Sequence, residues 1–148
     1  MTETVNEIAE RMRTAADDPV RSVALLGSLF ASSVDLHHDP PGPNDGPIPG
    51  AVLAETSRRE VEAVGRLLPD GFARTSHIAV EGEAIRVRNR LSGTLADGSP
   101  IEVETNTLFS VAEGAIVGLR AEMDATTTER WREILSGGGF APRTEPDP

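Results

Sequence analysis

The chain of 148 residues contains no cysteine and no tyrosine, and its aromatic residues are four phenylalanines and one tryptophan. Without cysteine neither a disulfide nor a thiolate metal site can form, and the composition suits a reducing compartment. Basic residues are also scarce, since 14 of them stand against 24 acidic residues and give a formal net charge of -10. Such a surface repels the phosphates of nucleic acids and of anionic membranes, so we expect neither as a partner.

The chain also has no long apolar run. The longest, Val23 to Leu26, is far shorter than the roughly 20 residues that a membrane-spanning helix needs. We therefore expect a cytoplasmic protein that does not enter a membrane. A chain of this length suits one domain, which we place at residues 1–136, and the segment 137–148 is typical of a disordered tail.

Residues 83–124 alternate in the two-residue period of β-strands, and two turn signals, Asp97-Gly98 and Glu113-Gly114, interrupt them. The pattern predicts three consecutive antiparallel strands. Asp-Gly favours a two-residue type I′ loop because both central residues need positive φ, so we expect Ala96 opposite Ser99. At Glu113-Gly114 we expect a type I turn with a glycine bulge.

This register assigns the side chains of the hairpin to two faces. It places Arg88 opposite Thr107 on one face, and Glu102 and Glu104 on the other. Neither face is plainly polar, so we expect the chain's helices to cover one and a second copy of the sheet to cover the other. The face that we expect to line the interior carries Arg88, Arg90, Thr107, Phe109, Leu119 and Ala121.

Helix start signals occur at three places in the first half of the chain. Thr4 to Glu7 has capping-box spacing, Asp18-Pro19 combines a capping residue with a proline suited to the first turn, and Ser57 to Glu60 repeats the capping-box spacing. These signals predict three N-terminal helices. Thr128 to Leu135 is expected to form a further helical turn.

Two more strands are predicted between these helices and the hairpin. Ser33 to His38 is typical of a short strand, and Ala73 to Val80 of a longer one. Residues 39–50 are so rich in proline and glycine that we expect no regular structure there. A loop of this length is a candidate lid over a site, in particular residues 40–50.

Two segments resemble a known superfamily. The sequence "LFASSVDLHHDPPG", at Leu29 to Gly42, resembles the "LFADDV…DP.G" segment of ketosteroid isomerases and SnoaL-like proteins, and "LFSVAEGAIVGLRAEMD", at Leu108 to Asp124, is similar to their closing "FRF.DGKI…R…D". The order of predicted elements is also that of the NTF2-like fold. The resemblance covers Val5 to Leu135.

The resemblance implies an α+β fold of the NTF2-like cone type. In such a cone a curved, mixed and mostly antiparallel sheet wraps around a pocket and packs against three N-terminal helices. The family further implies an apolar small-molecule ligand in that pocket and a homodimer formed through the outer face of the sheet. No cofactor is implied.

Asp39 matches the position of the general base of the ketosteroid isomerases. A partly desolvated carboxylate at a pocket rim can move a proton between carbon atoms of a ligand. The alternative is that an aspartate before proline only forms a turn. The family's oxyanion tyrosine has no counterpart in this chain, and its second acidic donor falls on Thr107, so a standard ketosteroid isomerase is not expected.

Arg88 falls on the arginine of the Arg-x-Asp motif of limonene-epoxide-hydrolase-like proteins. The two carboxylate positions of that family fall on Arg90 and Ala121, so epoxide hydrolysis is not expected. On the pocket face, Arg88 and Arg90 would instead bind a carboxylate or enolate oxygen of the ligand. The alternative is an ion pair with Glu102 or Glu104, which the predicted register places on the opposite face.

His77 resembles the histidine of scytalone-dehydratase-like members, where it assists proton removal, and its partner would be Asp17, Asp18 or Asp39. The alternative is an exposed or structural strand histidine. Asp35, His37 and Asp39 would share one face of a strand, but His38 points the other way and no second histidine cluster exists, so we expect no metal.

The residues and the resemblance together predict a small-molecule enzyme of the isomerase, lyase or cyclase type. It would perform proton-transfer chemistry, such as isomerisation, dehydration or cyclisation, on a polyketide- or terpenoid-like ligand. Asp39 would act as base, His77 as its partner and Arg88 or Arg90 as the oxygen anchor. Two alternatives stay open: a non-catalytic ligand-binding or dimeric interaction module, and a subunit that pairs with a different chain.

Overall fold

The computed structural model describes residues 4–39, 41–42, 45–68 and 72–137. Four helices and six strands lie within these ranges. The predicted tail from residue 138 onward, and residues 40, 43 and 44 of the predicted lid, lie outside the described residues. The elements are α1 Val5–Ala15, α2 Pro19–Leu29, β1 Phe30–Asp39, β2 Gly46–Pro49, α3 Gly50–Leu67, β3 Phe72–Glu81, β4 Ala84–Thr94, β5 Pro100–Ala112, β6 Ala115–Glu122 and α4 Ala125–Gly137.

All six strands form one sheet in the order β2-β1-β6-β5-β4-β3. Strands β1 and β6 run parallel, and every other neighbouring pair is antiparallel. The predicted α+β class with a mixed, mostly antiparallel sheet is therefore confirmed. None of the described helices is long and apolar enough to cross a membrane.

The first two helices begin where the sequence predicts. The Glu7 amide donates to Thr4 Oγ1, and the Thr4 amide donates to Glu7 Oε1, each over 3.2 Å, so the capping box of α1 is complete. The Asp18 carboxylate accepts from the amides of Val20 and Arg21 and caps α2.

The predicted start of α3 at Ser57 is wrong, because the helix begins at Gly50. The preceding segment is also not irregular, since β2 pairs with β1 and places Ile48 opposite Val34. Strand β2 is an edge strand, so the missing amide hydrogens of its prolines cost no interior ladder bond. Proline density predicts the absence of a central strand and does not exclude a short edge strand.

The hairpin of β4 and β5 differs from its predicted register by one residue. The Gly98 amide donates to the Leu95 carbonyl over 2.9 Å, and the Leu95 amide donates to the Ser99 carbonyl over 2.8 Å. With Gly98 at φ 89°, the loop is therefore a three-residue type I turn with a glycine bulge. Thr107 consequently lies opposite Val87, where the prediction placed Arg88.

This shift changes which side chains share a face, because strand side chains alternate with period two. The inner face of β4 and β5 pairs Val87 with Thr107, and the outer face pairs Arg90 with Glu104. The outer face is thus plainly polar, and two-sided coverage no longer follows from the pattern.

The turn between β5 and β6 also differs from its prediction. Ala112 pairs with Ala115, and Glu113 and Gly114 have φ of 51° and 76°, as in a two-residue type I′ turn. The irregularity lies inside the ladder instead, between Ser110 and Val111. The turn is one residue shorter than predicted, and the irregularity inside the ladder restores the predicted parity. Leu119, Ala121 and Thr107 therefore share one face, as predicted.

Two apolar clusters cover the inner face of the sheet. One joins α1 and α2 to Ile85 and Phe109, and the other joins α3 and α4 to Leu91 and Val103. Between these clusters the inner face of β4 and β5 carries polar side chains. They are Asn89, Thr105 and Thr107.

Candidate functional site

A cavity with a volume of about 70 Å³ lies between the first two helices and the inner face of β3, β4 and β5. It lies on the inner face of the sheet, and two of the polar residues between the apolar clusters, Asn89 and Thr107, belong to its wall. Most of the wall is apolar. The lining residues are Met12, Ala16, Ser22, Leu25, Leu26, Arg74, Ser76, Ile78, Val87, Asn89, Thr107 and Phe109.

Arg74 on β3 brings a positive charge to this wall. Its Nη2 donates to the Ala16 carbonyl and to Ser22 Oγ, each over 2.7 Å, and its Nε donates to the same carbonyl over 3.3 Å. Burial lowers the pKa of Arg74, and the negative charges of Asp18 and Asp17 oppose that shift. A guanidinium stays protonated under such conditions.

The Arg74 guanidinium is held by neutral oxygens. Among the described residues no carboxylate lies within ion-pair distance of it, and its Nη1 has no acceptor there. A partly buried cation with a spare donor can accept the oxygen of an anion or a polarised carbonyl.

Neutral polar groups lie along the same wall. Ser76 Oγ donates to Asn89 Oδ1 over 2.6 Å, which fixes the amide so that its Nδ2 is the free end. Within the described ranges, neither Asn89 Nδ2 nor the Thr107 hydroxyl has a hydrogen-bond partner, and neither is a buried unsatisfied atom. The cavity thus offers a cation, an amide donor and a hydroxyl against an apolar surface.

Of the residues predicted to contact a ligand, Thr107 and Phe109 line this cavity. Leu119 lies opposite Phe109 and packs against the apolar cluster under α1 and α2. Ala121 lies opposite Thr107 on the inner face, beside the cavity wall.

Arg88 and Arg90 do not reach the cavity, because the true register places both on the outer face. Both are exposed, and Arg90 Nε lies 3.1 Å from Glu102 Oε1. The ion pair that the predicted register disfavoured is therefore present, and the role of oxygen anchor does not fit either arginine.

Asp39 and His77 are not brought together. His77 is exposed on the outer face of β3, opposite Arg88. Asp39 is exposed at the end of β1, where its Oδ2 lies 3.8 Å from Arg120 Nη2. Odd-numbered residues of both strands face away from the interior, since the apolar even-numbered residues occupy it.

The acidic and histidine side chains of β1 form pairs. His37 Nε2 lies 3.0 Å from Asp35 Oδ2, and His38 Nδ1 lies 2.6 Å from Asp45 Oδ1. The part of the chain that the structure describes contains no group of three or more such side chains arranged to hold a metal ion.

The sequence contains a signal for Arg74 in the alternation of β3, although no family motif includes this residue. In β3 the apolar Ile78 and Val80 mark the inward parity, and counting back by two places Ser76 and Arg74 on the same side. The same count turns His77 outward. Alternation along the strand therefore identifies the inward cation better than the family motif does.

Glu60 is a further titratable group whose predicted place, in the first turn of α3, is wrong. It lies within α3, one turn before the buried Ala63 and Val64, and not at the helix start. Burial raises its pKa to about 7. No hydrogen bond or ion pair joins it to another described residue.

The comparisons with known proteins concern the fold. The sequence matches no protein-family model. It also matches no curated protein. Similar solved structures, in contrast, span most of the chain.

An M. tuberculosis LEH-like epoxide hydrolase superposes with a TM-score of 0.54 at 18% identity, and covers 88% of this chain and 91% of its own. For a putative SnoaL-like polyketide cyclase from Mesorhizobium loti the TM-score is 0.55, the identity 17%, and the coverage 80% of this chain and 98% of the other. An NTF2-like protein of unknown function from Burkholderia pseudomallei gives a TM-score of 0.52 at 19% identity, with 88% and 93% covered. The chain therefore has the fold of the NTF2-like superfamily, as its two sequence motifs imply.

Proposed function

We propose that this chain is a small-molecule enzyme whose cone binds an apolar carbonyl compound and moves a proton next to the carbonyl. The reaction class is isomerisation, dehydration or cyclisation. The observation that carries the proposal is Arg74, a partly buried cation in the cavity wall without a carboxylate within ion-pair distance among the described residues.

The wall suits the charge that such a reaction develops. When a proton leaves the carbon beside a carbonyl, the carbonyl oxygen becomes an enolate, and preorganised donors stabilise that negative charge. Arg74 Nη1, Asn89 Nδ2 and the Thr107 hydroxyl are donors without a partner among the described residues. They replace Arg88 and Arg90 as oxygen anchors.

The volume limits which ligand enters the cavity as it stands. Sites for drug-sized ligands measure roughly 300–1,000 Å³. At about 70 Å³ the cavity accepts a single small ring or the carbonyl-bearing end of a larger molecule. A polyketide- or terpenoid-like ligand requires Met12, Leu25 and Leu26 on the helices to move aside, and the unbranched side chain of Met12 favours such a movement.

Of the similar structures, one is named a putative SnoaL-like polyketide cyclase, which supports a cyclisation, and another an LEH-like epoxide hydrolase. The second activity finds no support in the residues, since an arginine and an alanine occupy the positions that we matched to the hydrolase carboxylates.

A homodimer through the outer face of the sheet belongs to the same proposal. That face carries arginines on β4 and glutamates on β5, so a two-fold axis can bring opposite charges of two copies together. Sedimentation equilibrium at low and high salt tests it. A dimer that dissociates at high salt is expected, and a monomer at every concentration would contradict it.

A second candidate function is ligand binding without catalysis. The described residues that line the cavity include no carboxylate and no histidine, so the wall itself supplies no proton acceptor. This observation favours a binding module unless a base reaches the ligand from beside the cavity.

One experiment separates the two candidates. The protein is incubated with 2-indanone in D₂O, and the loss of the ketone's α-proton signals is followed by NMR. Catalysis predicts faster exchange, a fall of at least about tenfold in Arg74→Gln, and no change in Arg88→Gln. Saturable binding that requires Arg74 without faster exchange would identify a binding module, and neither effect would show that the cavity is not the site.

A further inference from the structure

We propose that His38, held by Asp45, is the general base that serves this cavity. This inference rests on the proposed function. It supplies the proton acceptor that the described cavity wall lacks.

The pair is built by three hydrogen bonds to one carboxylate. Asp45 Oδ1 lies 2.6 Å from His38 Nδ1, and Asp45 Oδ2 accepts from the amides of His38 and Gly42 over 2.9 and 3.2 Å. Burial acts to raise the pKa of Asp45, but these hydrogen bonds outweigh it and lower the pKa. Asp45 is therefore a carboxylate at neutral pH.

The state of Asp45 fixes the tautomer of its partner. A carboxylate only accepts hydrogen bonds, so His38 Nδ1 carries the proton in this pair. In the neutral ring Nε2 then holds the free electron pair. A carboxylate that orients an imidazole in this way leaves the outer nitrogen ready to accept a proton.

His38 lies on the inner face of the sheet. Val34 and Leu36 precede it at alternate positions of β1 and are buried, with 0% and 7% of their surface exposed. The two-residue period therefore points His38, which is partly buried, to the same side.

The strand register gives the same result independently. His38 lies opposite Ala121 in the parallel pair, and Ala121 lies opposite Thr107 in the antiparallel pair. The three residues form one row across the inner face, and Thr107 belongs to the cavity wall. Two strand spacings, about 10 Å, separate His38 from Thr107, and the residue between them carries only a methyl group.

A ligand with its carbonyl at Thr107 and Asn89 extends over Ala121 toward His38. Nε2 takes a proton from the carbon beside the carbonyl, and the electron pair of that C–H bond forms the enolate double bond while the oxygen takes the negative charge. Where a C=C bond of the ligand adjoins that carbon, the enolate is a dienolate, and the imidazolium returns the proton to its far carbon, so that the remaining C=C bond is conjugated with the carbonyl. The net change is an isomerisation, which consumes no oxidant, reductant or co-reactant.

The neighbouring histidine provides a matched control. His37 also pairs with an aspartate, since its Nε2 lies 3.0 Å from Asp35 Oδ2, but both side chains are more than half exposed. Strand alternation places this pair on the outer face. His37→Gln therefore removes a histidine of a similar pair from the wrong side of the sheet.

The test is the exchange of 2-indanone α-protons in D₂O. His38→Gln is expected to slow exchange by about 100-fold or more, whereas His37→Gln changes it less than about twofold. Circular dichroism and thermal unfolding check that both variants are folded. Exchange that survives in His38→Gln but falls in Arg74→Gln would overturn the base and leave the proposed function standing, and no exchange by the unmodified protein would overturn both.

Asp45 is a positioning residue, and its test needs a signal that structural damage alone does not produce. The ¹⁵N shifts of the His38 ring in the unmodified protein are expected to show the proton on Nδ1. In Asp45→Asn the proton is expected on Nε2, with slower exchange of 2-indanone. Should either variant fail to fold, 2-indanone is titrated into the unmodified protein, and an unchanged His38 Nε2 signal at saturation would overturn the proposal.

Discussion

Arg90 and Glu102 pair across the outer face of the sheet, with 3.1 Å between Nε and Oε1. This contact is possible only with the three-residue loop at Gly98, which puts the arginines and the glutamates of the hairpin on one face. The interior is left with the short polar and apolar side chains of the same strands. The cation that reaches the cavity therefore comes from β3, as Arg74.

The outer-face arginines are expected to differ in their effect on stability. Arg86 is largely buried and joins β4 to three other strands, since it bonds to Glu81, Asn106 and Glu122. Arg86→Met is expected to lower the free energy of unfolding by about 1–3 kcal/mol. Arg90→Met, which removes an exposed pair, is expected to cost less than about 1 kcal/mol. Urea denaturation checks both, and equal losses would contradict the burial difference.

Gly50 is expected to tolerate no side chain. A Cβ there would lie 2.0 Å from the carbonyl oxygen of Ala31, so α3 and the start of β1 would have to separate. Gly50→Ala is expected to lower the free energy of unfolding by at least about 2 kcal/mol. Gly65→Ala, in the same helix with open space around it, is the control and is expected to add about 0.5–1 kcal/mol.

Glu60 is expected to make stability depend on pH. Its pKa of about 7 in the folded chain lies above its ordinary value, so its neutral form is favoured on folding. The contribution is fully present below about pH 4.5 and is lost as the pH rises through 7. Relative to the unmodified protein, Glu60→Gln is therefore expected to gain about 1–3 kcal/mol at pH 8 and nothing at pH 4. A constant difference across this range would contradict the raised pKa of Glu60.

Glu113 is expected to be a strained turn residue. Its φ of 51° lies in the left-handed region that asparagine and glycine adopt more readily. Glu113→Asn is expected to raise the free energy of unfolding by about 0.5–1 kcal/mol. Gly114→Ala, at a φ of 76°, is expected to lower it. Thermal and urea unfolding decide, and a loss in Glu113→Asn would show that the turn is not of type I′.

Local signals predicted most of the fold. The capping residues Thr4 and Asp18 placed the first two helices, and alternation placed the four long strands. The start of α3 and the strand β2 escaped prediction because their prolines and Gly50 are typical of loops. Only the tertiary contact between Gly50 and Ala31 makes that glycine a helix start.

The prediction of the site depended on the length of the loop between β4 and β5, which the sequence does not specify well. Asp-Gly supports both a two-residue and a three-residue hairpin loop, and the choice between them moves every partner by one residue. The wrong choice turned Arg88 inward. Counting by two from apolar positions of the same strand, from Ile78 to Arg74 and from Leu36 to His38, gives the correct face without any assumption about a turn.

The most direct test of the cavity and its cation is an NMR titration with benzoate, a small ring that bears an anionic oxygen pair. The expected result is chemical shift changes at Arg74, Asn89 and Thr107. Arg74→Gln is expected to bind benzoate at least tenfold more weakly, a loss of about 1.4 kcal/mol or more in binding free energy. Arg88→Gln is expected to bind benzoate as tightly as the unmodified protein. Benzyl alcohol is expected to bind more weakly than benzoate, because it lacks the charge that Arg74 recognises. Binding that Arg88→Gln weakens as much as Arg74→Gln would contradict the account, since it would place the ligand on the outer face.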